Sequence, residues 1–169
     1  YILNLIDTPG HVDFSYEVSS ALDSCEGAVL LVDASQGVEA QTMSNLYMAL
    51  DNNLEILPTV NKIDLPKADV EYAVHEIEEI LGSDESEIAK ISAKTGEGVD
   101  DLLNRIIRQL PPPKGEVDAP TQALIFDSFF DQYRGVVIMV RIFSGNLKKG
   151  DRIKLFSTNR EYDIEEIGY

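Results

Sequence analysis

A chain of 169 residues has room for one ordinary domain, or for one and part of a second, and 44% apolar residues supply a core and exclude disorder. Its 30 acidic and 14 basic side chains leave a formal charge of −16, which excludes electrostatic gripping of nucleic acid by the chain as a whole. The one cysteine, Cys25, excludes an internal disulfide; with no run long enough to span a bilayer and no signal peptide, the chain reads as cytoplasmic.

The chain opens on an apolar run, Tyr1–Ile6, which the pattern predicts as a short strand. Phe14, Val18, Ala21, Leu22 and Cys25 then share one face of a helix, with Cys25 read as a buried structural thiol. The unbroken run Gly27–Val32 reads as a buried parallel strand. Met43, Leu46, Tyr47 and Leu50 mark a second helix, and Ile56–Val60 a strand. Val70, Val74, Ile77 and Leu81 mark a third helix, ended by Gly82. Ile88–Ile91 is a short strand, and Val99, Leu102, Leu103, Ile106, Ile107 and Leu110 form a last amphipathic helix. Alternation of this kind predicts an α/β unit, a mostly parallel sheet with flanking helices and right-handed crossovers.

Pro111-Pro112-Pro113 ends that helix, and residues 111–119 read as a stiff linker between a unit at 1–110 and a second at 120–169. Charge divides at nearly the same place: 7 basic against 21 acidic residues up to position 115, 7 against 9 beyond it. The later segments, ALIFDSFF, GVVIMVRIF and NLKKGDRIKLF, are strand-like with a turn at Lys148–Asp151. They predict the start of an all-β barrel domain, in a stretch too short to close one.

Ligands of open parallel sheets bind outside the carboxyl ends of the strands. Three polar clusters fall there: Asp7-Thr8-Pro9-Gly10-His11, then Asn61-Lys62-Ile63-Asp64, then Ser92-Ala93-Lys94. A carboxylate at the position of Asp64 can accept the two adjacent donors of guanine, N1–H and the exocyclic amine; adenine has no such pair. Asn61 can brace the loop, the Lys62 stem can cover a ring face, and the Ala93 N–H can donate to the guanine carbonyl. In the first cluster Asp7 can hold magnesium through water beside a triphosphate. Gly10 lets the backbone approach a terminal phosphate, Pro9 stiffens the turn, and His11 can orient an attacking water. His75, in the acidic segment YAVHEIEEI, is assigned no role.

In this order and spacing the three clusters resemble the later nucleotide-binding motifs of GTPases, and DTPGHVDF followed by VDASQGVEAQT resembles the translational members. ALDNNLEILPTVNKIDLP and PPPKGEVDAPTQALIFDSFFDQYRGVV point to the LepA branch of that family, and the resemblance covers essentially the whole chain. It implies a P-loop GTPase domain, GTP, GDP and Mg2+ as ligands, and hydrolysis of GTP on the ribosome. By the same resemblance Asp7 is the magnesium-side carboxylate, Gly10 senses the γ-phosphate and His11 positions the water. Asn61, Lys62 and Asp64 read guanine with help from Ser92, Ala93 and Lys94. Residues 8–25 are implied to be a mobile switch.

No G-x-x-x-x-G-K-S/T segment occurs in these residues, nor the threonine-bearing first switch of the family. The expectation is therefore a middle portion of a longer enzyme, inactive by itself, with ribosomal RNA and proteins met through the parent. The family's first strand lies between the opening strand and Gly27–Val32, so both are expected to lack a neighbour. Other readings stay open: a non-enzymatic module of GTPase fold, an elongation factor G-like or TypA-like GTPase, and an ATP-using relative, which Asp64 disfavours. Peripheral association with the cytoplasmic face of a membrane is open as well. Lys148, Lys149, Arg152 and Lys154 form a small basic cluster that is either an RNA contact or a solvated turn.

Overall fold

The computed structural model describes residues 1–8 and 15–168. In chain order the elements are α1 (Ser15–Leu22), β1 (Gly27–Asp33), α2 (Ala40–Asp51), β2 (Glu55–Asn61), α3 (Val70–Leu81), β3 (Ala89–Lys90) and α4 (Val99–Gln109). β4 (Gln122–Asp131), β5 (Gly135–Ser144), β6 (Arg152–Leu155) and β7 (Arg160–Asp163) follow.

β1, β2 and β3 form a parallel sheet in that order, with Gly27 facing Glu55 and Asp33 facing Asn61. Alternation along the strands decides which side chains go to which layer. Ala28, Leu30 and Val32, with Ile56 and Val60, pack under α1, α2 and α3. Val29 and Leu57 turn the other way, against Leu102 and Ile106 of α4. At the centre of the core Val60, Ala73 and Ile77 are fully buried.

Two of the helices have a local reason to begin or end where they do. Asp69 caps α3 by accepting the Tyr72 N–H at 3.0 Å, and Gly82 ends it in the left-handed region at φ 67°. α4 starts at Gly98, φ 72°, where an added Cβ would collide with the Lys90 carbonyl oxygen. Its first turn carries Asp100 and Asp101 and its last turn Arg108, which suits the helix dipole at both ends.

Several expectations from the sequence fail. Leu31, in the run expected to be buried throughout, and Leu103, expected on the apolar face of α4, are exposed. Among the described residues β1 is an edge strand, with only Val32 of that run fully buried. Tyr1–Ile6 forms no strand: the residues are irregular, and Tyr1, Ile2 and Leu5 are almost wholly exposed. An extended segment is stabilised only by a ladder partner, and no described residue pairs with it. On α2 the buried stripe is Leu46 and Ala49, whereas Tyr47 and Leu50 are exposed. Periodicity gave the helix and its buried Leu46, but the rest of the inward face is Ala49, which packs with Val18, Leu22 and Leu54, and not Tyr47 or Leu50.

Past Leu110 the backbone runs irregularly to β4, which pairs antiparallel with β5, and β6 pairs antiparallel with β7. None of the residues described after 110 is buried. Arg141 of β5 reaches back to the first unit: its guanidinium pairs with Glu26, donates to the Ser24 carbonyl at 3.2 Å, and lies 5.4 Å over the Phe143 ring.

Candidate functional site

The ends of β2 and β3 build one corner. β2 stops at Asn61, and the chain passes through Lys62 in the left-handed region, φ 65°. The Asn61 side chain fixes this turn by accepting the Lys62 N–H at 2.7 Å and, from the neighbouring loop, the Ala93 N–H at 3.0 Å. The Ile63 N–H bonds the Ile91 carbonyl at 3.3 Å, tying the two loops by their backbones as well. Each bond lies where the parallel ladder of β2 and β3 runs out, so side chains take over the backbone groups the sheet leaves unpaired.

Ser92 is fully buried and organises the second loop. Its hydroxyl donates to Asp64 Oδ1 at 2.7 Å and accepts the Thr95 N–H at 3.1 Å. Its backbone bonds the Glu97 carbonyl at 2.9 Å and the Gly96 N–H at 2.8 Å. Asp64 is thus held by one oxygen from behind while remaining half-buried, which leaves acceptor capacity on Oδ2 for a ligand. Ala93 and Lys94 lie exposed on the same rim.

Lys62 behaves differently. Its ammonium forms an ion pair with Asp33 Oδ2 at 2.6 Å, across the ends of β1 and β2. Asp33 Oδ1 accepts the Ser35 N–H at 2.8 Å and the Ser35 hydroxyl at 2.7 Å. Burial would raise the Asp33 carboxyl, but the Lys62 ammonium and the Ser35 donors outweigh it and hold its pKa at about 2. Sequence reasoning missed Asp33; the signal was a carboxylate closing the strand run GAVLLVD. The loop after it is fastened to α3, where Glu76 accepts the Val38 N–H and the Tyr72 hydroxyl, each at 2.8 Å.

Asn61, Asp64, Ser92 and Ala93 are therefore brought together by direct bonds, with Lys62 on one flank and Lys94 on the rim. The Ala93 N–H expected to face a guanine carbonyl is engaged by Asn61, so a ligand oxygen would share that donor or displace the amide oxygen. Asp7 and Thr8 lie in the irregular opening segment, Asp7 exposed and Thr8 half-buried. The expectations for Pro9, Gly10 and His11 fall outside the described residues. Among the described residues no group of three or more His, Cys, Asp or Glu is placed to hold a metal.

Cys25 is half-buried, donates to the Ala21 carbonyl at 3.2 Å, and is pushed up in pKa by burial, so it stays a protonated packing group. His75 is exposed beside Glu78 and Glu79 on α3. In the basic cluster Arg152 is already paired with Asp163 at 3.1 Å and Glu161 at 3.7 Å, which leaves Lys148, Lys149 and Lys154 as exposed cations. Among the described residues no helix is long and apolar enough to cross a membrane.

Comparison with known proteins gives the same picture from outside. Residues 1–112 match the model of the elongation factor Tu GTP binding domain. The chain is 61% identical to elongation factor 4 of Synechocystis sp. and 58% identical to elongation factor 4 of Lactococcus lactis subsp. lactis, over 99% of its own length in each case. It spans 28% of the length of each of these curated relatives. Among solved structures it superposes on translation elongation factor SelB of Methanococcus maripaludis in complex with the GTP analogue GppNHp. The TM-score is 0.76 at 28% identity, over 92% of this chain and 36% of that one. The apo form of the same protein gives 0.69. These relatives favour neither the non-enzymatic module nor the other GTPase branches. The sheet order, the three-cluster spacing and the match over residues 1–112 agree: the chain belongs to the elongation factor Tu GTP binding domain family.

Proposed function

We propose that these residues form the guanine-recognising half of a translational GTPase site, in a protein that hydrolyses GTP to GDP and phosphate at the ribosome. The carrying observation is the Ser92–Asp64 bond. A fully buried hydroxyl aims one carboxylate oxygen and leaves its remaining lone pair, together with the second oxygen, to the ligand. A carboxylate so oriented accepts N1–H and the exocyclic amine of guanine side by side; adenine would leave it desolvated and unpaired. Asn61 keeps the two loops at one spacing, and Lys62 and Lys94 flank the ring.

Hydrolysis further requires a phosphate cradle, which the 169 residues do not contain as a G-x-x-x-x-G-K-S/T segment. On this reading Asp7 faces magnesium through water, Thr8, Pro9 and Gly10 approach the terminal phosphate, and His11 orients the water. These assignments, like that of residues 8–25 as the switch, rest on family resemblance. The proposed division into a GTP-binding unit at 1–110, a linker at 111–119 and a β-domain at 120–169 is supported instead by Pro111-Pro112-Pro113 and by the change from helical to strand-like pattern after it. Ribosomal RNA and proteins are the proposed partners, met mainly through parts of the protein other than this acidic segment, and the cytoplasm is the proposed location.

The test is a magnesium-dependent GDP titration of this chain and of a version extended to the length of its relatives, with ADP as control. The extended chain is expected to bind GDP and not ADP. Asp64→Asn is expected to weaken GDP on the order of a hundredfold and to improve xanthosine diphosphate, whose C2 carbonyl accepts from the amide. Equal binding of GDP and ADP by the extended chain would sink the proposal.

A further inference from the structure

Lys62 differs from its neighbours in being tied to a strand end away from Asp64. Asp64 faces β3 through Ser92, whereas the Lys62 stem stretches the other way to Asp33 at the end of β1. Asp33 cannot swing after the lysine, because Ser35 holds its other oxygen twice. The Asp33 side chain is 16% exposed and that of Lys62 52%, an exposure at which an ion pair adds little to stability. Lys62 nevertheless sits at φ 65°, a left-handed conformation unfavourable for a residue with a Cβ. A left-handed backbone held by Asn61 and an ammonium tied to a fixed carboxylate together set the path of the lysine stem, as a side chain placed for a ligand requires.

Resting on the guanine reading above and deepening it, we propose that Asp33 is a positioning residue for purine binding. By anchoring the Lys62 ammonium it lays the apolar lysine stem under the face of the ring whose edge meets Asp64. Asp64 then discriminates the base, while Asp33 acts through Lys62 on affinity for any purine that reaches the site. Fixing the stem before binding removes the cost of ordering a flexible side chain on ligand contact. Ser35 supports the arrangement by fixing Asp33.

The experiment is a double-mutant cycle in a polypeptide carrying these residues at the length of its relatives, read by dissociation constants for GDP and for inosine diphosphate, which lacks the exocyclic amine. Asp33→Asn is expected to weaken both by the same factor, roughly fivefold, and to have no further effect in a Lys62→Ala background. Ser35→Ala is expected to give a smaller loss with the same pattern, and carries the test if Asp33→Asn does not fold. GTP turnover at saturation is expected to stay unchanged in both. An equal loss in the Lys62→Ala background, unequal losses for the two nucleotides, or no loss overturns the role of Asp33. If the unsubstituted protein fails to prefer GDP over ADP, the guanine reading itself falls, and the role of Asp33 with it.

Discussion

The two halves of this chain are built on opposite terms. From Ser15 to Leu110, three helices and a fourth sandwich a parallel sheet, and side chains such as Val60 and Ile77 are completely removed from water. From Gln122 onward the strands pair well in two antiparallel ribbons but bury no residue. Phe129, Phe130, Val136 and Phe143 stay 42% to 74% exposed. Backbone pairing alone is marginal in water, whereas a layered sheet adds the hydrophobic term that dominates folding. The difference teaches that local hydrogen bonding and stability are separate achievements, and that the candidate site stands on the half that has both.

The largest expected effect breaks this comparison most directly. Ile77→Ala should cost about 3 kcal/mol of unfolding free energy, because it empties a fully buried site against Val32 and Val60, while Ile142→Ala, 36% exposed, should cost less than about 1 kcal/mol. Urea denaturation of each variant measures this, and equal costs would remove the distinction. Gly98→Ala comes next, at about 2 kcal/mol, since the new methyl meets the Lys90 carbonyl and the residue keeps φ 72°. The same substitution at Gly135, also at positive φ but with open space around it, should cost about 1 kcal/mol.

Arg141→Ala sharpens the comparison by testing the tie between the halves. Loss of its bonds to Glu26 and Ser24 should speed amide exchange in β4 and β5 by about tenfold while leaving the protected amides of β2 unchanged. Uniform acceleration across both halves would show that they share one cooperative core. The smallest effect concerns acid. The Asp33 carboxyl lies at about 2 in the folded protein, below its unfolded value, so its contribution is present above about pH 4 and is lost as the pH falls toward 2. The stability gap between the unsubstituted protein and Asp33→Asn should therefore close over that window, and a gap that persists below it would point to packing.

Much of the site was legible because its chemistry is local. Asn61, Asp64 and Ser92 announce themselves by type and by position after apolar strands, and the structure bonds the two loops they occupy. Asp33 was not legible, since its meaning depends on Lys62 lying across a ladder from it, 29 positions away. The face of α2 was only partly legible for a related reason: Leu46 falls inward as its periodicity suggested, but that Ala49 meets Val18 and Leu22 while Tyr47 and Leu50 face out depends on where α1 packs.

The sequence by itself determined the α/β alternation, the ending of α3 at Gly82, the strand character of the later segments and the polar clusters that follow apolar runs. Each of these depends on neighbours within a few residues, through dihedral preference, capping and periodicity. Only the tertiary structure decided that Tyr1–Ile6 stays unpaired, that Asp33 anchors Lys62, that the Ala93 N–H is claimed by Asn61, and that the β-ribbons are left open. Those outcomes turn on which groups meet across long separations in the chain, where a ladder, an ion pair or a buried face exists only once both partners are in place.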